Sequence, residues 1–322
     1  MEWQTKIEIP QAGFRIGYHS RILMLGSCFT ENIGEKLTCF KFDTDINPCG
    51  IVYNPMSVMR VLELMMEGEP FTADRLMLHD GKWLSLLHHG SFSSPDREAC
   101  LCRINERLTK AADRLKTTDL LVITFGTAWV FRYKRDGGIV SNCHKLPASE
   151  FERFRLEPEE IATAYTLLIR RLREINPDLR ILFTVSPIRH WKDGAHGNQL
   201  SKSVLLLAID RLVRDLENVY YFPSYEIVMD ELRDYRFYAE DMLHVSPVAV
   251  EYIWERFRDT YIGKDALGLM ARIDKVNKTL SHRPADAGSE KWQRLWEKNT
   301  AEMAEIETVI RKLRAKGNDI FV

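Results

Sequence analysis

The chain has 322 residues, which is enough to bury a full core as one large domain or two modest ones. It carries 45 Lys and Arg against 46 Asp and Glu, a formal net charge of −1. Because nucleic acids and anionic membranes favour basic surfaces, this balance argues against either as an obligatory partner. The sequence shows neither a signal-peptide pattern nor a run of about 18 apolar residues, so we expect a cytoplasmic protein.

Six cysteines are present, and none stands in a CxxC pattern. In a chain of this length without an export signal, free thiols are expected rather than a disulfide framework. No HxxxH pair occurs either, so we expect neither a metal site nor another cofactor.

Four short apolar runs have the composition of strands that are buried on both faces. They are residues 21–27, 119–126, 180–187 and 218–228. Helical patterns separate these runs and are predicted at 54–67, 157–176, 198–216 and 247–254. Alternation of this kind predicts a doubly wound parallel sheet whose ligand lies at the carboxyl ends of the strands.

Two regions depart from the alternation. Residues 69–105 contain repeated turn signals and are interpreted as a β-rich insertion that forms a lid or pocket wall. Beyond Gly263, two charged helical patterns at 264–280 and 288–316 flank a turn-like stretch. We therefore predict an α/β domain over 1–262 and a helical extension over 263–322, which packs across the outside or forms contacts in a homo-oligomer.

Gly26-Ser27-Cys28 lies where the first predicted strand meets a helix. A side chain at this position lies beside free backbone N–H groups and a helix N-terminus. Such surroundings stabilise an oxyanion and are expected to lower a thiol pKa. The alternative interpretation is an N-cap Ser27 followed by a buried Cys28.

A second candidate is the pair Asp241 and His244, just before the helix that opens at Pro247. An Asp three residues before a His in a turn can accept a hydrogen bond from the imidazole, which leaves the other ring nitrogen free to act as a base. A helix-capping Asp beside a surface His is the alternative.

Together these blocks resemble the GSCFA family, whose motif reads Gly26-Ser27-Cys28-Phe29-Thr30 here. That family is similar to the SGNH/GDSL hydrolases, and the resemblance runs over about 20–260. Further runs support it: NPCGIVYNP (47–55), TFGTAWVF (124–131), NCHKLP (142–147), SPIRHWKDG (186–194) and NQLSK (198–202).

The resemblance implies a three-layer α/β/α flavodoxin-like fold with His244 as base and Asp241 as its orienting partner. Aligned without a gap, Cys28 takes the place of the nucleophile, and Ser27 remains the second candidate. By the same analogy, the expected oxyanion donors are the backbone of Cys28, Gly50, and Gly126 with Thr127.

Polar residues at the same predicted edge are candidates for substrate binding, because Arg suits anionic groups and the others suit polar ones. They are Asn142, His144, Arg189, His190 and Asn198. Their alternative role is to cap and hold loops. His79, His88 and His89 have no ligand spacing and are interpreted as surface or pocket-wall residues.

The resemblance implies an esterase that acts on a small polar O-acyl ester, with an acylated carbohydrate as the expected substrate class. Two alternatives remain: an acyltransferase that uses a thioester donor, and a carbohydrate-binding relative that has lost turnover.

Overall fold

The computed structural model describes residues 4–281 and 289–317. Its centre is a sheet of five parallel strands. In chain order, the strands are β1 (Arg21–Gly26), β2 (Asp43–Ile46), β3 (Met77–His79), β4 (Lys82–Leu84), β5 (Leu120–Phe125), β6 (Trp129–Tyr133), β7 (Ile139–Val140), β8 (Phe151–Arg155), β9 (Arg180–Val185) and β10 (Val219–Phe222).

The central sheet has the strand order β10-β9-β5-β1-β2. Counting only its own strands along the chain, this is the flavodoxin-like order 2-1-3-4-5. The order of the chain reverses between β1 and β5, so the fold predicts a ligand site at the carboxyl ends of these two strands.

Helices cover both faces of the sheet. They are α1 (Cys28–Cys39), α2 (Pro55–Glu67), α3 (Arg97–Lys116), α4 (Pro158–Ile175), α5 (Gly194–Asp215), α6 (Ser224–Glu226, continued by a π-helical turn), α7 (Pro247–Tyr261), α8 (Lys264–Ser281) and α9 (Glu290–Gly317). The predicted three-layer α/β/α fold is thereby confirmed.

Two hydrophobic clusters lie on opposite faces of the sheet, because alternate side chains of each strand point to opposite sides. Leu23 and Leu25 belong to the cluster that packs under α2, α3, α4 and α5. Ile22 and Met24 belong to the cluster that packs under α1, α7, α8 and α9.

The four strands that the sequence predicts for the central sheet are present, one of them shortened, and the fifth strand of that sheet was not predicted. The run 218–228 is a strand only over Val219–Phe222, after which Pro223 leads into helical turns. The missed strand is β2, whose sequence DTDI is only half-buried at the edge of the sheet. Because most of its residues are polar, β2 contains no apolar run that would predict a strand.

The boundaries of the predicted β-rich insertion are wrong at one end. The region does contain the β3–β4 hairpin, but α3 begins at Arg97, within the predicted range. A second, three-stranded sheet of order β7-β6-β8 lies later in the chain, where no β addition was predicted.

The C-terminal helices pack against the rest of the chain. Ile306 and Ile310 of α9 are buried in the same cluster as α1 and α7. Arg272 of α8 forms ion pairs with Glu302 and Glu305 of α9. Most of the turn predicted between these helices, residues 282–288, lies outside the described residues. The division at 262/263 and the oligomer remain predictions.

Across the described ranges, no helix combines the length and apolar character needed to cross a bilayer.

Candidate active site

The junction between β1 and α1 positions Ser27 and Cys28. Gly26 has φ +145°, and a Cβ there would lie 2.3 Å from the carbonyl oxygen of Thr124 on β5. Glycine therefore allows the end of β1 to run against β5 and turn directly into α1. This turn places residue 28 at the strand-order reversal.

Ser27 and Cys28 have different surroundings. Ser27 is 4% exposed, and its Oγ accepts a hydrogen bond from the N–H of Phe29 at 3.3 Å, as an N-cap residue does. Cys28 is the first residue of α1 and is only half-buried. Of the two candidate nucleophiles, Cys28 is therefore the more accessible.

The pKa of the Cys28 thiol is raised rather than lowered. Burial is the main cause, and the negative charge of Glu31 adds to it. The nearby backbone N–H groups of Cys28 and Phe29 and the charge of Lys202 oppose this rise in pKa without cancelling it. The sequence-based expectation of a lowered thiol pKa is wrong because it omitted burial. A thiol of this kind needs a base.

Asp241 and His244 form the contact that sequence predicts. Asp241 Oδ2 lies 2.5 Å from His244 Nδ1, and its Oδ1 accepts the N–H groups of Leu243 and His244, both at 2.9 Å. These bonds, led by the one from the imidazole, lower the pKa of Asp241 to about 2. The carboxylate orients the ring and leaves Nε2 available. The catalytic role of the pair stays a prediction.

The loop that carries His244 is held beside the end of β9. Arg189, which follows β9, donates a hydrogen bond to the carbonyl of Met242 and stacks against the rings of Tyr235 and Tyr238. Since β5 separates β9 from β1, the ends of these two strands are two strand spacings, roughly 10 Å, apart. Among the described residues, no hydrogen bond joins His244 to Ser27 or Cys28.

His190 provides a link across this edge. The pKa of His190 is lowered to about 4, chiefly by burial and also by the positive charge of Lys202 and by the His244 imidazole. Its ring lies 5.7 Å from that of Tyr53. The edge of the sheet therefore gathers a thiol, a buried ammonium and two imidazoles.

Three of the expected oxyanion donors are already engaged. The N–H of Gly50 donates to the Asn47 carbonyl at 2.8 Å, and the N–H groups of Gly126 and Thr127 donate to the Tyr53 carbonyl at 2.7 and 3.3 Å. The Thr127 hydroxyl lies 2.9 Å from that of Ser201. These N–H groups have acceptors within the chain in this conformation, and their role as oxyanion donors stays a prediction.

Asn142 and His144 hold a loop. The Oδ1 of Asn142 accepts the N–H of His144 at 2.8 Å. His144 Nε2 lies 2.9 Å from the Ser85 carbonyl and 3.1 Å from that of His88. Burial lowers the pKa of His144. These contacts give the pair a structural role, and substrate contact stays a prediction.

The remaining binding candidates also make structural contacts. Asn198 is 4% exposed, and its Oδ1 accepts the N–H of His190 at 2.9 Å. Arg189 donates its hydrogen bond to the Met242 carbonyl in the loop that carries His244. We interpret Asn198 and Arg189 as residues that position the edge loops.

Lys202 is the residue that sequence reasoning missed. It belongs to the NQLSK run, yet it is fully buried and donates hydrogen bonds at 2.6 Å to the carbonyls of Gly126 and Ser186. The available signal was a lysine on the apolar face of α5, among Val204, Leu205 and Ala208.

Comparison with protein families gives one match: the model of the GSCFA family covers residues 21–257. No curated protein matches the chain.

Solved carbohydrate esterases are similar at low identity. A family 3 carbohydrate esterase from Clostridium thermocellum has a TM-score of 0.37 and 9% identity, over 78% of this chain and 97% of that one. A carbohydrate esterase of the same family from Talaromyces cellulolyticus has a TM-score of 0.35 and 10% identity, over 80% of this chain and 99% of that one. An acetyl xylan esterase from Butyrivibrio proteoclasticus has a TM-score of 0.39 and 12% identity, over 79% of this chain and 66% of that one.

Proposed function

The chain belongs to the GSCFA family, and from that premise we propose that it is an SGNH-type esterase acting on a small polar O-acyl ester. Cys28 is the proposed nucleophile, His244 its base and Asp241 the residue that orients the base. An acylated carbohydrate is the proposed substrate class, by analogy with the SGNH hydrolases.

The observation that carries the proposal is the environment of Cys28. A half-buried thiol begins a helix at the carboxyl end of β1, beside the N-cap Ser27. The end of a parallel strand at the strand-order reversal is where such sheets bind ligands. The burial that raises the thiol pKa also makes a base necessary.

The proposed reaction has two steps. His244 Nε2 takes the thiol proton, and the sulfur attacks the ester carbonyl to form a thioester on Cys28. The imidazolium returns the proton to the leaving alcohol, and water then hydrolyses the thioester with the same base. The Asp241 carboxylate stabilises the imidazolium.

The separation of His244 from Cys28 defines one requirement of the proposal. Catalytic hydrogen bonds often tighten only when substrate is bound. The loop of His244 is half-exposed and held mainly through Arg189. Closure of this loop over a bound ester would bring the base to the sulfur.

An ester-hydrolysis panel tests the proposal. Acetylated sugars and a chromogenic acetyl ester are assayed with the wild type, Cys28→Ala, Ser27→Ala and His244→Ala. Cys39→Ala is the matched control, because Cys39 is the exposed cysteine at the other end of α1. We expect loss of activity in Cys28→Ala and His244→Ala only.

Three outcomes would contradict parts of the proposal. Equal activity in the wild type and His244→Ala would exclude His244 as the catalytic base. Loss in Ser27→Ala with retention in Cys28→Ala reassigns the nucleophile. Absence of hydrolysis, with acyl transfer from a thioester donor to a sugar, replaces the esterase by an acyltransferase.

A further inference from the structure

Two exposed aromatic rings lie beside the loop that carries His244. Within the described ranges, three Trp, Tyr or Phe side chains are strongly exposed: Trp191 at 50%, Tyr235 at 63% and Trp296 at 45%. Trp296 lies on α9, but the other two gather around Arg189, whose guanidinium carbon is 5.2 Å from the Trp191 ring centre and 5.7 Å from that of Tyr235. Exposed apolar side chains that gather in one place mark an interaction site, whereas scattered ones do not.

Arg189 holds this cluster together. Its guanidinium carbon also lies 4.8 Å from the ring centre of Tyr238, which is 5.7 Å from that of Tyr235. Cation–π contacts of this kind stabilise the rings around the arginine. The same guanidinium donates a hydrogen bond to the carbonyl of Met242, a residue whose side chain is 47% exposed. Because a guanidinium has five N–H donors, it can also donate to a bound molecule.

A small depression adjoins the rings. It is lined by Arg189, Tyr235 and Tyr238 together with apolar residues that include Val228 and Leu232, and its volume is about 210 Å³. Sites for drug-sized ligands span roughly 300–1,000 Å³. This depression therefore has room for about one ring of a ligand.

The cluster is continuous with the reacting edge of the sheet. The residue after Arg189 is His190, and its Nε2 would lie 3.3 Å from a Cβ on Gly126. Gly126 directly follows β5, which is the neighbour of β1 in the sheet. On the other side, Met242 is two residues from His244. A ligand held on the rings would therefore lie next to the loops that frame the proposed site.

We propose that Trp191, Tyr235 and Tyr238, held by Arg189, form a stacking site for a sugar ring of the substrate. The face of a pyranose ring presents C–H bonds, which the negative face of an aromatic ring attracts. The hydroxyls at its rim are acceptors for the guanidinium.

Two other ligand classes fit this cluster less well. An organic cation would be repelled by Arg189, and a purely apolar group would offer its N–H donors no acceptor. The stacking site rests on the proposed function only for the conclusion that the bound sugar is the acylated one.

Hydrolysis of two esters tests the site. A double variant, Trp191→Ala with Tyr235→Ala, is assayed with acetylated xylose and with ethyl acetate, which has no ring. We expect KM for the acetylated sugar to rise at least about fivefold, because loss of one aromatic contact weakens binding about two- to tenfold. The kcat, and the hydrolysis of ethyl acetate, should stay within about twofold of the wild type. Since both rings are exposed, the variant should fold normally.

Two further variants complete this experiment. Trp191→Phe keeps an aromatic ring and should retain most of the affinity for the acetylated sugar. Trp296→Ala removes a similarly exposed ring from α9 and is the matched control. An unchanged KM in the double variant, or equal losses with both esters, would overturn the inference.

Ligand-observed NMR tests the site without turnover. Saturation transfer from the protein to methyl β-xyloside and methyl β-glucoside is compared with transfer to cyclohexanol, a ring with a single hydroxyl. We expect transfer to at least one of the two sugars in the wild type and in Trp296→Ala, and a loss of at least about threefold in the double variant. Absence of transfer to both sugars in the wild type, equal transfer in the double variant, or equal transfer to cyclohexanol would overturn the inference.

The two proposals fail in different experiments. Sugar binding that depends on the two rings, without hydrolysis of any ester, refutes the proposed function and supports the stacking site. Hydrolysis through Cys28, with KM and sugar binding independent of the two rings, does the reverse.

Discussion

The Oδ1 atom of Asn47 accepts a hydrogen bond from the N–H of Gly26 at 2.9 Å. Asn47 lies in the loop after β2 with φ 45°, its carbonyl accepts the N–H of Gly50, and its Nδ2 lies 3.4 Å from a carboxylate oxygen of Glu31. One buried side chain therefore connects the loop after β2 to the turn that carries Cys28.

Replacing this side chain should loosen the turn. Asn47→Ala leaves the buried N–H of Gly26 without its acceptor, and we expect the free energy of unfolding to fall by about 1–3 kcal/mol. Urea unfolding measures the change. Asn32→Ala, on the second turn of α1, is the control and should change stability by less than about 0.5 kcal/mol. Equal stability of the two variants would contradict the interpretation of Asn47.

Glu31 offers a way to make Cys28 more reactive. Its carboxylate raises the pKa of the thiol, so Glu31→Gln should lower that pKa and increase the thiolate fraction below it. We expect iodoacetamide to modify Cys28 about two- to fivefold faster at pH 8, since half a pKa unit changes the thiolate fraction about threefold. Glu35→Gln, one turn further and exposed, is the control. A slower reaction in Glu31→Gln would contradict the conclusion that the Glu31 carboxylate raises the pKa of Cys28.

Asp241→Asn tests the orientation of the base. The amide cannot stabilise an imidazolium and favours the other tautomer, so we expect ester hydrolysis to fall on the order of 10²–10⁴-fold. The pair is exposed, so thermal stability should change little. Glu240→Gln removes the neighbouring exposed carboxylate and should retain activity. Activity of Asp241→Asn within twofold of wild type would exclude the pair from the reaction.

His88 should make the protein sensitive to acid. Its side chain is 1% exposed between the rings of Phe71 and Phe92, and burial lowers its pKa to about 3. Because the unfolded chain binds this proton near pH 6.5 and the folded chain does not, its contribution to stability is complete above pH 6.5. It is lost as the pH falls towards 3.

The measurement for His88 is the difference in unfolding free energy between pH 7 and pH 4.5. In His88→Phe this difference should shrink by about 2.7 kcal/mol, because the pH falls two units below 6.5 and each unit corresponds to about 1.36 kcal/mol. His79→Phe, on the half-exposed β3–β4 hairpin, is the control. An unchanged pH dependence in His88→Phe would show that another group carries the acid sensitivity.

The sequence predicts the fold well where apolar runs are continuous, as in β1, β5 and β9. It misses β2, because an edge strand with the sequence DTDI is stabilised by pairing with β1 rather than by its own hydrophobicity. The β6–β8 sheet was missed for a related reason: its strands are short and only partly buried.

The contact between Asp241 and His244 was predictable from the sequence, whereas the electrostatics around Cys28 were not. Spacing alone indicated the contact between Asp241 and His244, since three residues in a turn bring the side chains together. The raised pKa of Cys28 depends on how much protein surrounds the thiol, which no local motif reports. Lys202 contacts the ends of both β5 and β9, and the first of these, at Gly126, is 76 residues away in the sequence.

The two faces of the sheet meet at the reacting edge. Cys28 begins a helix that packs into one hydrophobic cluster, whereas Lys202 projects from a helix of the other. Lys202 donates hydrogen bonds to the carbonyls that follow β5 and β9. This edge of the sheet therefore takes its final form only after the helices on both faces have docked, so its assembly requires complete folding.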